Sequence, residues 1–231
     1  MTTNAETQDP PKFGFTDADL AALPTVYAPG LFAGQRVLVS GAGSGIGKAI
    51  AFLYARLGAT LVICGRKPEA LEASAEWLRK LGSPEVLALP LNIRDPEAVS
   101  QAMDAVWARF GGLDVLVNNA GGQFPQAALE FSVKGWNAVI DTNLNGTWHM
   151  IQNAAKRWVR DGVPGSVVNI VVVTERGQPG ISHSVAARGG VIALSRSLAL
   201  ESTAWRRAPS RAMASTTTGR KTPRTSATRT R

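Results

Sequence analysis

The sequence predicts a single α/β domain of the doubly wound type, a parallel sheet covered by helices on both faces. Three observations lead there. From Leu31 onward, short apolar and β-branched runs alternate with stretches of helical spacing. Those short runs are apolar at every position, as strands buried between two helical layers must be. The first of them also enters a glycine-rich turn that opens directly into a helical stretch.

Residues 1–30 are polar and punctuated by proline, and read as an N-terminal arm rather than a core element. "RVLVS" (36–40) is the first strand and the segment 47–58 the first helix. "TLVICG" (60–65) is the second strand, followed by a helix over 68–82 with Pro68 near its start, where its fixed φ is tolerated. "VLALPL" (86–91) is the third strand, and the helix over 95–111 begins at Asp95, a good N-cap. "LDVLVNNAGG" (113–122) is a fourth strand running into a turn. A long helical stretch covers 132–161, a fifth strand 166–173 and a last helix 184–201. The domain therefore spans 31–201, and the legible sheet stops after its fifth strand and the helix that follows.

Of the 231 residues, 45% are hydrophobic, enough for one sizeable core. The single cysteine, Cys64, excludes an intrachain disulfide and fits a reducing, cytoplasmic setting. No segment has a signal-peptide pattern, and no apolar run reaches membrane-spanning length. The formal net charge of +8 is unevenly placed. Residues 202–231 hold eight Lys/Arg and no acid, so the preceding residues carry 17 of each sign and are neutral.

The turn "SGAGSGIG" offers Ser40, Gly41, Gly43, Ser44, Gly45, Ile46 and Gly47 as a pyrophosphate cradle. Glycines there let the backbone turn tightly, and the helix N-terminus supplies free N–H groups and the positive end of its dipole. A plain structural turn is the alternative. At the end of the second strand an acidic residue would grip a ribose 2′-OH and repel a 2′-phosphate. Here the strand ends "CGRK", so Arg66 and Lys67 favour NADP over NAD. No residue pattern suggests a metal site.

The succession "SGAGSGIG", "NNAGG" (118–122), "DTNLNGTW" (141–148) and "SVVNIVVV" (166–173) resembles the short-chain dehydrogenase/reductase family. That resemblance implies a Rossmann-type sheet and a nicotinamide cofactor. It places Asn119, with Ala120 and Gly121, beside the cofactor, and makes Asn143 the helix residue that supports proton relay. Asn92, followed by Ile93, stands where the family has an adenine-contacting Asp.

The family's active pair is Tyr-x-x-x-Lys, with a Ser near the end of the fifth strand. Here Ser184 stands at the Tyr position and Arg188 at the Lys position, while the Ser position falls at Val171 or Val172 with Thr174 the nearest hydroxyl. Serine is too weak an acid to replace a phenol, and arginine keeps its proton. The stretches "NAGGQF", "KGWNAVIDTNLNGT" and "HSVAARGGVIALSRSLALE" resemble the branch that includes the peroxisomal trans-2-enoyl-CoA reductases, with the 2,4-dienoyl-CoA reductases more distant. The resemblance implies NADPH-dependent reduction of an acyl-CoA C=C bond at Asn143, Ser184 and Arg188, with Ser184 and the backbone near Gly121 as oxyanion donors and Arg188 holding the ribose hydroxyls, and a homo-oligomer for the full-length form. Two readings stay open beside it: an alcohol or aldehyde dehydrogenase for a branched or terpenoid substrate, and an inactive nucleotide-binding remnant. Ser184 as a simple helix cap, and His183 as a loop residue, are the plain structural readings.

After Glu201 the composition switches within one residue to Arg, Thr, Ala, Ser and Pro. The family's later strands are not legible there. The expectation is a basic, disordered tail over 202–231 arising from a shifted reading frame. Its rival is a nucleic-acid-binding arm, which the lack of interleaved aromatics disfavours.

Overall fold

The computed structural model of the chain describes residues 14–172 and 174–205. Expectations for 1–13 and 206–231, including most of the basic segment, lie outside the described residues.

Five parallel strands form one sheet: β1 (Arg36–Ser40), β2 (Thr60–Gly65), β3 (Val86–Pro90), β4 (Val115–Asn118) and β5 (Ser166–Asn169). Their spatial order is β3-β2-β1-β4-β5. Val37 sits opposite Leu61 on one side and Val115 on the other, and Val115 opposite Ser166. The chain thus builds outward from β1 through β2 and β3, then returns to the other flank with β4. That reversal opens a crevice at the carboxyl ends of β1 and β4, the usual ligand position in such sheets.

Strand alternation feeds two cores. Val37, Val39, Leu61 and Ile63 face α2 (Gly45–Arg56) and α3 (Pro68–Lys80), meeting Phe52, Leu71 and Leu78. Leu38, Val62 and Leu116 face the opposite layer, α4 (Pro96–Phe110) and α6 (Gly146–Asp161), meeting Val99, Met103, Met150 and Ala154. The all-apolar strands follow from this double coverage. Cys64 lies in the second core, where desolvation pushes its thiol up to about 12, so it stays protonated and inert. At the amino end of the central strand β1, Arg36 clamps the start of β4. Its Nε donates to Asp114 Oδ2 at 2.8 Å and its Nη2 to Oδ1 at 2.7 Å, and its backbone N–H also reaches Oδ2 at 2.8 Å.

The structure departs from the sequence reading in four places. The N-terminal arm contains α1 (Asp17–Ala22), whose Leu20 is buried in the first core. Thr16 and Asp19 form a reciprocal capping box, and Asp17 holds Lys48 of α2 at 2.8 Å. So short a helix has little periodicity to read and depends on this docking.

The stretch 132–161 is broken into α5 (Val133–Ile140), a π-turn over Asp141–Asn145, and α6. Thr142 and Thr147 bond back to the carbonyls of Ala138 and Asn143, and the Gly146 N–H reaches Asp141 O. β5 ends at Asn169, four residues before the expected 173. The last helix, α7 (Ser182–Trp205), starts earlier and runs past Glu201.

Among the described residues β5 pairs only with β4, leaving Val167 and Val168 38% and 42% exposed. A cleft of about 750 Å³ runs along this edge, lined by Trp158, Val163, Val167, Asn169 and Leu198.

Candidate functional site

The site begins where β1 turns into α2. Gly41 takes φ +72°, the left-handed region that L-residues avoid, and its N–H donates to Cys64 O at 2.7 Å. The turn is thereby tied to the end of β2, just before Gly65 and Arg66. Gly47 answers a different demand, close approach. A Cβ there would collide with Gly41 O and Asn119 Nδ2. Ser44 is the N-cap of α2 but makes no capping bond from its side chain, and Ser44, Gly45 and Ile46 are all exposed. The first-turn N–H groups of α2 therefore face outward without a side-chain acceptor, as an anion cradle requires. Gly43 packs against Ala70 of α3.

Ser40 works from beneath. Its fully buried hydroxyl accepts the Asn119 and Ala120 N–H groups at 3.1 and 3.0 Å and donates to Val117 O. Asn119 Nδ2 returns a bond to Ser40 O at 3.0 Å. These bonds lock the ends of β1 and β4 together and set the floor of the crevice.

At the end of β2, Arg66 and Lys67 are exposed, and neither forms an ion pair among the described residues. Lys67 is the N-cap of α3 and makes no capping bond from its side chain. Two cations thus flank a second exposed helix start. Asn92 lies exposed after β3 with its Oδ1 accepting Arg94 N–H at 3.2 Å. Ile93 is buried, packed close to Gly146, and its carbonyl meets His149 Nδ1 at 3.1 Å. Its contribution is to seat the start of α6.

The second half of the site joins the π-turn, the loop after β4 and α7. Asn143, buried in the π-turn, binds both backbone groups of Gly122. Its Oδ1 accepts Gly122 N–H at 2.9 Å, and its Nδ2 donates to Gly122 O at 3.0 Å. The same Nδ2 reaches Ser184 Oγ at 3.3 Å. Because that hydroxyl accepts from Asn143, its own proton is available to a ligand.

Arg188 lies one helical turn beyond Ser184, on the same face of α7. It is 8% exposed, and its Nη2 makes one long bond, 3.4 Å, to Ala120 O. Nη1 has no partner, and no acid pairs with the guanidinium among the described residues. Burial alone pushes this guanidinium below the usual arginine range. A buried, unpaired cation is costly and marks a place for an electron-rich ligand atom. Gly121 leaves the necessary room, since a Cβ there would strike Arg188 Nη2 and Asn143 Oδ1.

The three expected catalytic residues, Asn143, Ser184 and Arg188, therefore converge on the strip Ala120–Gly122. Ser184 is the third residue of α7 (Ser182–Trp205), so it is not the N-cap. Two features were not singled out from the sequence: Gly122 and an aromatic wall of Phe124, Phe131 and Trp136 around His183. The second glycine of "NNAGG" was a signal for the first. His183 lies in the first turn of α7, fully buried, rather than in a loop.

The family profile of the short-chain dehydrogenases matches residues 35–228. A probable 2,4-dienoyl-CoA reductase from Bacillus subtilis is 36% identical over 168 residues, 72% of this chain and 66% of the relative. Another probable 2,4-dienoyl-CoA reductase, from Caenorhabditis elegans, is 37% identical over 178 residues, 76% of this chain and 58% of the relative. Among solved structures, a citronellol catabolism dehydrogenase from Pseudomonas aeruginosa matches with TM-score 0.73 and 38% identity, covering 79% of this chain and 74% of that one. Solved relatives hold either NAD or NADP. The chain spans about three-fifths to two-thirds of the length of the curated relatives it matches. With the glycine turn, the Asn119 lock and the Asn143 π-turn on one parallel sheet, this chain belongs to the short-chain dehydrogenases, oxidoreductases that use a nicotinamide cofactor.

Proposed function

We propose that this oxidoreductase is NADPH-dependent and reduces the C=C bond of a 2-enoyl-CoA thioester. The observation that carries this reading is the pairing of Ser184 and Arg188 beside Asn143 and the Ala120–Gly122 strip. A bound nicotinamide cofactor supplies a hydride. An enoyl thioester takes that hydride at Cβ, and negative charge builds on the thioester oxygen. Such an oxygen needs hydrogen-bond donors and positive potential rather than a strong acid. The Ser184 hydroxyl and the Arg188 guanidinium provide both, with the Cα proton coming from water.

On the cofactor side, the outward N–H groups of α2 bind the pyrophosphate, with Asn119, Ala120 and Gly121 along the nicotinamide half. Asn92 takes the adenine side. Arg66 and Lys67 hold the 2′-phosphate and set the preference for NADP(H). Two names among the relatives, both 2,4-dienoyl-CoA reductases, support the same substrate class. The bacterial relative and the lone buried Cys64 support a cytoplasmic location, and a homo-oligomer is proposed for the full-length form.

The likeness to the citronellol catabolism dehydrogenase favours a second reading, oxidation of a branched alcohol. That chemistry needs a base to take the hydroxyl proton. The chain has two tyrosines, and neither stands at the Ser184 position. Tyr54 lies on α2 against Phe32, and Tyr27 lies exposed in the segment before β1.

We also propose that residues 202–231 are read in a shifted frame. The family match runs to residue 228, so resequencing across the Glu201 codon decides between a shifted frame and a divergent in-frame ending. The activity itself is tested by NADPH oxidation with trans-2-enoyl-CoA, identifying the product by mass. Formation of the saturated acyl-CoA supports the reading. Turnover of branched alcohols with no enoyl reduction contradicts it.

A further inference from the structure

Between Gly122 and Asn137 the chain carries five large apolar side chains, Phe124, Leu129, Phe131, Val133 and Trp136, against two charges, Glu130 and Lys134. Leu129, Val133 and Trp136 are exposed, Leu129 completely so. Apolar side chains scattered singly over a surface need no explanation, but a run continuous with a site marks ligand contact.

This run is continuous with the site. Trp136 meets Phe131 with ring centroids 6.2 Å apart, and Phe131 meets Phe124 at 5.7 Å. Phe131 and Phe124 in turn lie on His183 at 4.3 and 4.7 Å, and His183 is the residue before Ser184 in α7. Val133 and Trp136, three positions apart on α5, share one face of that helix. The wall is also held in place. Gly135 lets Phe124 lie close on α5, since a Cβ there would meet Phe124 Cζ at 2.9 Å. The Gln126 N–H donates to Gly180 O at 2.8 Å, tying the wall to the loop that precedes α7. Gln126 Nε2 closes the loop on itself by donating to Glu130 O at 2.7 Å.

We propose that this wall, from Phe131 out to Leu129 and Val133, is the binding face for the hydrocarbon end of the acyl group, so that the site prefers long-chain to short-chain thioesters. The inference rests on the acyl-CoA reading above and adds where the chain lies. With the thioester oxygen at Ser184 and Arg188, the hydrocarbon leaves the reacting carbons away from the CoA moiety. It then either trails in water or covers apolar surface, and the wall starts one residue from Ser184. A four-carbon acyl group is used up at the reacting carbons. A ten-carbon group has six further carbons to lay on the wall, and each methylene fully removed from water is worth about fourfold in affinity.

Calorimetric titration of the full chain with decanoyl-CoA and butanoyl-CoA, neither of which has a C=C bond to reduce, tests it. Decanoyl-CoA should bind at least about tenfold more tightly, an open wall giving part of the full burial effect. That ratio should collapse to about threefold or less in the double variant Leu129→Ser with Val133→Ser and be kept in Leu129→Met. Both positions are exposed, so the serines leave the core intact. Equal affinities in wild type, or an unchanged ratio in the double variant, overturn the proposal. So does an unchanged ratio with a smaller oligomer by sedimentation, which assigns the face to a second copy of the chain. Reduction of trans-2-butenoyl-CoA does not use the wall, so it persists if this proposal alone fails. Failure of both acyl-CoAs to bind removes the reading above and this one with it.

Discussion

Asn143 and Ser184 meet across the π-turn at 3.3 Å, and Asn143 is also bound to both backbone groups of Gly122. One buried amide thus joins the loop after β4 to the first turn of α7. Its removal strands several polar groups at once.

Asn143→Leu should therefore cost about 1–3 kcal/mol of stability, the penalty for buried groups left unpaired. Turnover should fall far more than cofactor affinity, because the cradle at α2 is untouched. Urea denaturation and a comparison of kcat with the cofactor Kd check this.

Gly47→Ala should damage the other half of the site. The added methyl meets Gly41 O and Asn119 Nδ2, both parts of the locked β1–β4 floor. Overpacking of this kind costs about 1–3 kcal/mol, and the turn must open to relieve it. Weaker binding of NADPH and of NADH to similar extents, by calorimetry, is the expected outcome.

Arg66→Asp should discriminate between the cofactors. Loss of a charged hydrogen bond costs about 1.5–3 kcal/mol, and only NADPH carries the 2′-phosphate that makes it. NADPH affinity should fall while NADH affinity holds or rises. Equal losses in a fluorescence titration would remove Arg66 from this role.

Acid should weaken the clamp between Arg36 and Asp114. The guanidinium holds the Asp114 carboxyl below the usual carboxylate range. A depressed folded pKa means stabilisation that is present above the unfolded value, near pH 4, and lost as pH falls through the folded value. For a partly exposed pair the contribution is about 1 kcal/mol. The stability difference between wild type and Asp114→Asn should thus be full at neutral pH and close below about pH 4. Denaturation midpoints across pH measure it.

The strands, the glycine turn and the cap at Asp95 were legible because each is a local signal: an all-apolar run, a glycine spacing, a side chain placed for the next turn. That Asn143, Ser184 and Arg188 would come together was also readable, through spacing that matches a known pattern; the catalytic roles given to them are proposals. What escaped depends on tertiary contact. α1 is held by Lys48 and by the core around Leu20, neither of which is near it in sequence. The π-turn inserts one extra residue into an otherwise regular helical pattern. His183 was read as a loop residue and lies instead buried in α7, because a histidine beside a serine carries no local sign of the rings that enclose it.

The most direct test is the reaction itself, run on the 231-residue chain and, beside it, on an in-frame chain whose reading after Glu201 is restored as proposed above. With NADPH and a trans-2-enoyl-CoA, the in-frame chain should form saturated acyl-CoA, the 231-residue chain should be far slower, and Arg188→Met should abolish turnover. Oxidation of branched alcohols by either chain, with the enoyl-CoA left unreduced, would contradict the assignment of Ser184 and Arg188 to enolate stabilisation.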